Sequence, residues 1–132
     1  MAVVADASAL IVAVSAGSLE ARRLRRRLGT EAVHAPHLVD AEIGNVLRRQ
    51  VTRGERSAAD GIALLRLSAD LVDHRYEHRG ALANAAWRLR HNVTFYDALY
   101  VALAAAIESP LLTADGRLAK TPGLPCAVEV VT

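Results

Sequence analysis

The feature that most constrains the fold is one aspartate followed by a long uncharged stretch. Asp97 precedes ten residues without a charge, from Ala98 to Ile107, and most of them are alanine or leucine. These residue types favour helix, and the stretch is shorter than the roughly 20 residues that cross a bilayer. It therefore predicts a buried core helix with a carboxylate at its start. Such a carboxylate must be paired, protonated or bound to a metal, because an isolated buried charge is very costly.

Asp97 also has a local explanation. Thr94 and Asp97 have the spacing of a capping box, in which the acid reaches back to the backbone where the helix begins. This stretch alone leaves the structural and the functional interpretation equally open.

The composition is that of one folded domain spanning residues 1–132. This length gives room for a single core, and a hydrophobic content of 52% is too high for a disordered chain. Cys126 is the only cysteine, which excludes an internal disulfide and a cysteine-based zinc site. We expect a cytoplasmic protein without membrane attachment, since a lone cysteine suits a reducing compartment. The net charge of +2 is compatible with a polyanionic partner.

Short apolar runs alternate with helical patterns along the chain. Strands are predicted at residues 2–5, 32–35, 71–74, 111–113 and 127–131. Helices are predicted at residues 9–14, 20–28, 38–53, 58–71 and 80–90, followed by a helix that carries Asp97 and ends before Pro110 and a short helical turn at 117–119. Ser8 and Ser57 are predicted to cap the helices that follow them, and Gly29 to end the helix before it. This alternation predicts an α/β domain with a mostly parallel five-stranded sheet flanked by helices.

Two acids follow predicted strands, and a third lies on a helix. Asp6 and Asp115 come directly after apolar strands, and the crevice beyond the carboxyl ends of parallel strands is the usual ligand site. Glu42 borders the apolar side of the helix predicted at 38–53. Each has a structural alternative: a cap or turn for Asp6, an Asp-Gly turn for Asp115, and for Glu42 a salt bridge to Arg48 or Arg49.

Taken together, the four acids predict a divalent-cation site. Four gathered carboxylates repel one another and raise their own pKa values, and a divalent cation removes that penalty. Oxygen ligands without cysteine or histidine suit Mg²⁺ or Mn²⁺ rather than zinc. A water activated by such a cation can attack a phosphodiester.

Four segments of the chain resemble PIN-domain ribonucleases, specifically VapC-type toxins of bacterial toxin–antitoxin pairs. These segments are residues 4–10, 36–47, 96–104 and 111–118, and the likeness runs nearly end to end. The resemblance implies a five-stranded parallel sheet and an acidic Mg²⁺ site. The implied site residues are Asp6, Glu42, Asp97 and Asp115, with Ser8, Asn45 and Thr113 as supporting polar groups.

The same resemblance implies an activity and partners. It implies that RNA is cut by a metal-activated water, which Glu42 positions or deprotonates. It also implies a cognate VapB-type antitoxin that blocks the site, and a homodimer. Gly116 and Arg117 stand where some family members carry another acid, so the number of metal ions stays open.

Two other functions are compatible with the sequence. One is a PIN-like module that binds RNA without cutting it, and the other is a phosphotransfer enzyme or receiver domain with an acidic Mg²⁺ pocket. Ser8 stands where haloacid-dehalogenase phosphatases carry their second aspartate, which disfavours that class. Trp87 and Tyr100 are expected in the core or at an interface, and the arginines of residues 22–27 on a solvated face or an RNA-phosphate clamp.

Overall fold

A five-stranded sheet forms the centre of the computed structural model, which describes residues 1–15 and 17–132. The strands are β1 (Ala2–Ala5), β2 (Ala32–Pro36), β3 (His74–Tyr76), β4 (Leu111–Thr113) and β5 (Val128–Val130). Their order in the sheet is β3-β2-β1-β4-β5, and every neighbouring pair is parallel. The α/β class and the five-stranded parallel sheet predicted from the sequence are confirmed.

Seven helices cover the sheet within these same residues. They are α1 (Ala7–Ser15), α2 (Leu19–Thr30), α3 (Leu38–Thr52), α4 (Ala58–Leu71), α5 (Ala81–Trp87), α6 (Phe95–Ala106) and α7 (Gly116–Ala119). Helix α6 is the predicted core helix, with every residue from Ala98 to Ala104 buried. None of these helices is long and apolar enough to cross a membrane.

The chain changes direction across the sheet at β1. From β1 it builds outward through β2 to β3, and then returns to add β4 and β5 on the other side. The carboxyl ends of β1 and β4 are therefore neighbours, with Ala5 paired to Leu112 and the Asp6 N–H donating to the Leu112 carbonyl at 3.1 Å. Ligands bind at such a switch point in open α/β sheets.

Several boundaries differ from those predicted from the sequence, and three of them have a clear local cause. The third strand begins at His74, because Leu71 ends α4 and Val72 caps it. Helix α2 continues past Gly29 to Thr30, and the Glu31 N–H closes its last turn on the Arg27 carbonyl at 3.0 Å. Helix α5 is shorter than predicted and ends at Trp87.

Candidate active site

A cavity of about 390 Å³ lies over the carboxyl ends of β1 and β4. All four predicted acids line it, although they come from four parts of the chain. Asp6 follows β1, Glu42 belongs to α3, Asp97 lies in the first turn of α6, and Asp115 is the N-cap of α7. The fold therefore brings together side chains that are up to 109 residues apart, since 115 − 6 = 109.

Asp6 is fixed at the start of α1. Its Oδ1 accepts hydrogen bonds from the Ser8 hydroxyl at 2.6 Å and from the Ala9 N–H at 3.0 Å. Asp6 is thus the side chain that caps α1, and the prediction that Ser8 caps this helix is wrong. The helix begins at Ala7, so Ser8 lies inside its first turn and Asp6 precedes it. The short Asp6 side chain reaches the Ala9 N–H, which has no partner within the helix. Capping and lining the cavity are compatible in one carboxylate.

Ser8 instead connects the two strand ends. Its hydroxyl oxygen accepts from the Ala114 N–H at 2.8 Å while its proton is donated to Asp6. Thr113, which is fully buried, places its hydroxyl 3.3 Å from that of Ser8 and accepts from the Asp115 N–H at 3.0 Å. This chain of hydrogen bonds ties Asp6 to the segment that carries Asp115.

Glu42 is paired with Tyr100 across the cavity. The Tyr100 hydroxyl donates to Glu42 Oε1 at 2.5 Å, and only 2% of Tyr100 is exposed. The proposed salt bridge to Arg48 or Arg49 is not the contact that Glu42 makes. Burial raises the Glu42 pKa above its usual value, and the hydrogen bond from Tyr100 opposes that rise. Burial and the neighbouring carboxylate raise the pKa of Tyr100 far above its usual value, so its hydroxyl stays a donor.

The contact with Glu42 was missed from the sequence, where Tyr100 was expected in the core or at an interface. Its burial agrees with that expectation, and its hydroxyl adds a polar role. One signal was available, because Tyr100 lies three residues after Asp97 on the same helix and such residues share a face.

Asp97 combines the two roles that the sequence left open. Thr94 caps α6 by accepting from the Asp97 N–H at 3.2 Å, which is the threonine half of the predicted capping box. The Asp97 side chain meanwhile lines the cavity. Burial raises its pKa, and the charges of Asp6 and Asp115 raise it further.

Of the two remaining predicted residues, Asp115 lines the cavity and Asn45 does not. Asp115 Oδ1 accepts from the Arg117 N–H at 2.9 Å, which starts α7, and Arg117 Nε lies 3.4 Å away. Asn45 is exposed, accepts from Arg48 Nε at 3.2 Å, and is not among the residues that line the cavity.

The electrostatics of the cavity favour a bound cation. Burial is the largest cause of the raised pKa values of Asp6, Glu42 and Asp97, and nearby carboxylates add to it for Glu42 and Asp97. A divalent cation offsets both effects, and carboxylate oxygens are the ligands that Mg²⁺ prefers. In the described part of the chain, no three acidic, histidine or cysteine side chains already form a metal-binding group. The four acids surround one cavity, and holding one ion requires their carboxylates to move closer together than they stand here.

Comparisons with known proteins agree with this architecture. The family model for the PIN domain matches residues 3–124. The chain is 49% identical over 128 residues to Ribonuclease VapC1 of Mycobacterium tuberculosis, covering 97% of this chain and 96% of that protein. It is 41% identical over 129 residues to Ribonuclease VapC9 of the same organism, covering 98% of each.

Solved structures share the fold. The structure of VapBC2 from Rickettsia felis, bound to a DNA fragment from their promoter, matches with a TM-score of 0.74 at 12% identity and covers 100% of both chains. Mycobacterium tuberculosis VapC20, described as a Sarcin-Ricin loop cleaving toxin, matches with a TM-score of 0.65 at 17% identity, covering 95% of this chain and 98% of that one. At these identities the structures show the fold alone. Together with the sequence relatives and the family model, they establish that the chain belongs to the PIN-domain family, among the VapC ribonuclease toxins of toxin–antitoxin systems.

Proposed function

We propose that this VapC-family ribonuclease hydrolyses RNA phosphodiester bonds with Mg²⁺, or Mn²⁺ in its place, held by Asp6, Glu42, Asp97 and Asp115. The observation that carries the proposal is the single cavity that all four carboxylates line. Oxygen-only donors and carboxylates with pKa values raised by burial fit a hard divalent cation. When bound, the ion supplies a Lewis acid that activates water and offsets charge on the phosphate.

The side chains around the ion have separate tasks in this proposal. Glu42 positions or deprotonates the attacking water, because its carboxylate lines the same cavity as the three aspartates. Tyr100 keeps that carboxylate in place by donating to Oε1. Ser8 and the Ala9 N–H hold one oxygen of Asp6, so its orientation is fixed before any ligand enters.

Membership of the family also supports the expectation that this chain has protein partners. We expect a cognate VapB-type antitoxin that blocks the cavity, a homodimer, and a cytoplasmic location where RNA is available. Ile62 and Leu67 on α4 and Trp87 at the end of α5 are exposed. Exposed apolar side chains of this kind are what a protein partner buries.

Asp97→Asn tests the chemistry, because it nearly preserves shape and removes one carboxylate charge. Total RNA is incubated with the purified chain in MgCl₂ or in EDTA, and the new RNA ends are mapped. We expect the wild type to cleave only with Mg²⁺. The variant should lose more than the roughly 10- to 100-fold that follows loss of a group supporting a metal ligand.

Asp60→Asn is the matched control. Asp60 is exposed in the first turn of α4, where its N–H is capped by Ser57, and it is not among the residues that line the cavity. The control should cleave as the wild type does. Equal cleavage in EDTA, or undiminished cleavage by Asp97→Asn, would count against the proposal. Binding of RNA without any Mg²⁺-dependent loss would favour a binding module instead.

A further inference from the structure

A second cavity, of about 480 Å³, adjoins the acidic one and shares Asp97 and Asp115 with it. We call it the arginine groove, after Arg90 and Arg117 in its walls. One wall is the connection between α5 and α6, residues 90–94, and the other consists of Arg117, Leu118 and Thr121. The acids therefore mark the place where the two cavities meet.

The two walls of the arginine groove are joined. The Asn92 side-chain amide donates to the Pro122 carbonyl at 3.4 Å. Gly123 adopts φ of 77°, a conformation that favours glycine, and a Cβ added there would lie 3.4 Å from Asn92 Nδ2. The groove is thus bounded by two segments that contact each other rather than by a single free loop.

Contacts within the protein orient each of the two arginines. Asp115 Oδ1 accepts from the Arg117 backbone N–H at 2.9 Å and lies 3.4 Å from Nε, while 93% of the Arg117 side chain is exposed. Arg90 Nη1 donates to the Trp87 carbonyl at 3.0 Å, and its guanidinium lies 5.3 Å from the Trp87 ring centroid. Each guanidinium keeps further N–H groups for a ligand, because arginine has five such donors.

A polyanion that binds at the acidic cavity requires positively charged side chains nearby. Four carboxylates exceed the charge of one divalent cation, so a polyanionic strand entering this cavity meets excess negative charge. Arg27 and Arg75 hold Glu129 and Asp40 at 2.7 Å, whereas Arg117 meets Asp115 only through Nε at 3.4 Å. Arg90 and Arg117 lie in a groove that shares its acids with the candidate site, and arginine matches phosphate geometry well.

We propose that the arginine groove binds the single-stranded RNA next to the scissile phosphate, with Arg90 and Arg117 each contacting a backbone phosphate. This inference rests on the proposed ribonuclease function, because RNA is the polyanion that this function requires. The volume of the arginine groove is within the roughly 300–1,000 Å³ typical of ligand pockets. Both residues are positioning residues that act on the strand beside the reacting bond.

The test measures RNA binding apart from cleavage. A fluorescein-labelled random-sequence 15-nucleotide RNA pool is titrated with the chain in EDTA, and anisotropy is read at several salt concentrations. Each phosphate contact contributes about 0.7 to the slope of log affinity against log salt for single strands. Arg90→Ala and Arg117→Ala should each lower the slope by about 0.7, which corresponds to about fivefold weaker binding at 0.1 M salt.

Two further variants separate charge from structure. Arg117→Lys keeps the charge and should retain the wild-type slope. Arg66→Ala removes an exposed arginine of α4 that lines neither cavity, and should bind as the wild type does. The corresponding kinetic signature in Mg²⁺ is a raised KM with little change in kcat for Arg90→Ala, since Arg90 contacts Trp87 and none of the four acids.

Each result bears on the proposal. Unchanged slope and affinity in both alanine variants would overturn it, as would absence of RNA binding by the wild type at the lowest salt. Unchanged RNA binding together with weaker binding of a poly-glutamate peptide would overturn it and assign the groove to an acidic protein segment. The proposed function is judged separately, since a wild type that binds through these arginines but never cleaves refutes only the nuclease chemistry.

Discussion

At the scale of single residues, the hydroxyl of Tyr100 controls the carboxylate of Glu42. Tyr100 is almost completely buried, and its hydroxyl donates to Glu42 Oε1. That hydrogen bond favours the charged form of Glu42, whereas burial favours the neutral form. The balance between them sets the pH at which Glu42 can accept a proton.

Tyr100→Phe should therefore raise the Glu42 pKa further. Removing the donor leaves burial unopposed, so Glu42 becomes ionised only at higher pH. We expect the acid limb of the pH–rate profile for RNA cleavage to move to higher pH, with activity near neutral pH reduced by about tenfold. Tyr76→Phe is the control, because the Tyr76 hydroxyl contacts His34 Nδ1 on the β2–β3 side of the sheet. An acid limb that stays in place in Tyr100→Phe would contradict this role.

The acids were predictable as a group, and the family resemblance added Ser8 and Thr113, but the contact of Tyr100 with Glu42 was missed. Asp6 and Asp115 were recognisable because each directly follows an apolar strand, and the parallel sheet brings those strand ends to one edge. The spacing from Asp97 puts Tyr100 on the same helix face as that acid, but a phenol inside an apolar helix otherwise has the pattern of a core residue. Its role depends on how α6 packs against α3, and no local pattern encodes that packing.

At the scale of elements, the junction of β1 with α1 is linked to the junction of β4 with α7. Ser8 is the link, since it donates to Asp6 and accepts from the Ala114 N–H. The two acids that follow these strands are therefore set by one hydrogen-bonded unit rather than by two independent turns.

Ser8→Ala should destabilise the fold by about 1–2 kcal/mol, because it leaves the Ala114 N–H and the Asp6 oxygen without this partner. Equilibrium unfolding in urea measures the change. Ser109→Ala is the control, because Ser109 donates only locally, to the Ile107 carbonyl. A loss of stability no greater than that of the control would show that the Ser8 link does not stabilise the fold.

The predicted strands and helices were correct where the local residue pattern determines the structure. Strands β1 and β4 are buried apolar runs, and the Ser57 cap that begins α4 was confirmed. Strand β3 was misplaced because it is an edge strand of polar residues, His74 to Tyr76, whose pairing with β2 decides its position. Gly29 was predicted to end α2, yet it lies within the helix and lacks the positive φ of a terminating glycine.

At the scale of the whole molecule, we expect the acidic cavity to couple stability to pH and to bound cations. Asp6, Glu42 and Asp97 have folded-state pKa values raised above their ordinary values of 3.8, 4.5 and 3.8. The folded state therefore binds more protons than the unfolded chain between the ordinary and the raised values. Stability contributed by these groups is lost as pH rises through that interval.

We expect the melting temperature in EDTA to fall as pH rises through that interval. Mg²⁺ should restore the melting temperature at neutral pH. At about ten times its dissociation constant, a ligand of the folded state adds about 1.4 kcal/mol, which is a few degrees for a domain of this size. Asp97→Asn should be more stable than the wild type in EDTA and gain less from Mg²⁺. Differential scanning fluorimetry from pH 4 to pH 8 measures both effects. An equal gain from Mg²⁺ in the variant would contradict the coupling.

The most direct test of the central claim, that the four acids share one divalent cation, is anomalous diffraction from crystals grown with Mn²⁺. We expect a peak inside the cavity, with carboxylate oxygens of at least three of the four acids within about 2.5 Å, the range of cation–oxygen bonds. The peak should be lost in Asp97→Asn crystals. A cavity that stays empty at saturating Mn²⁺, or a peak on another surface with these acids unbound, would contradict the account.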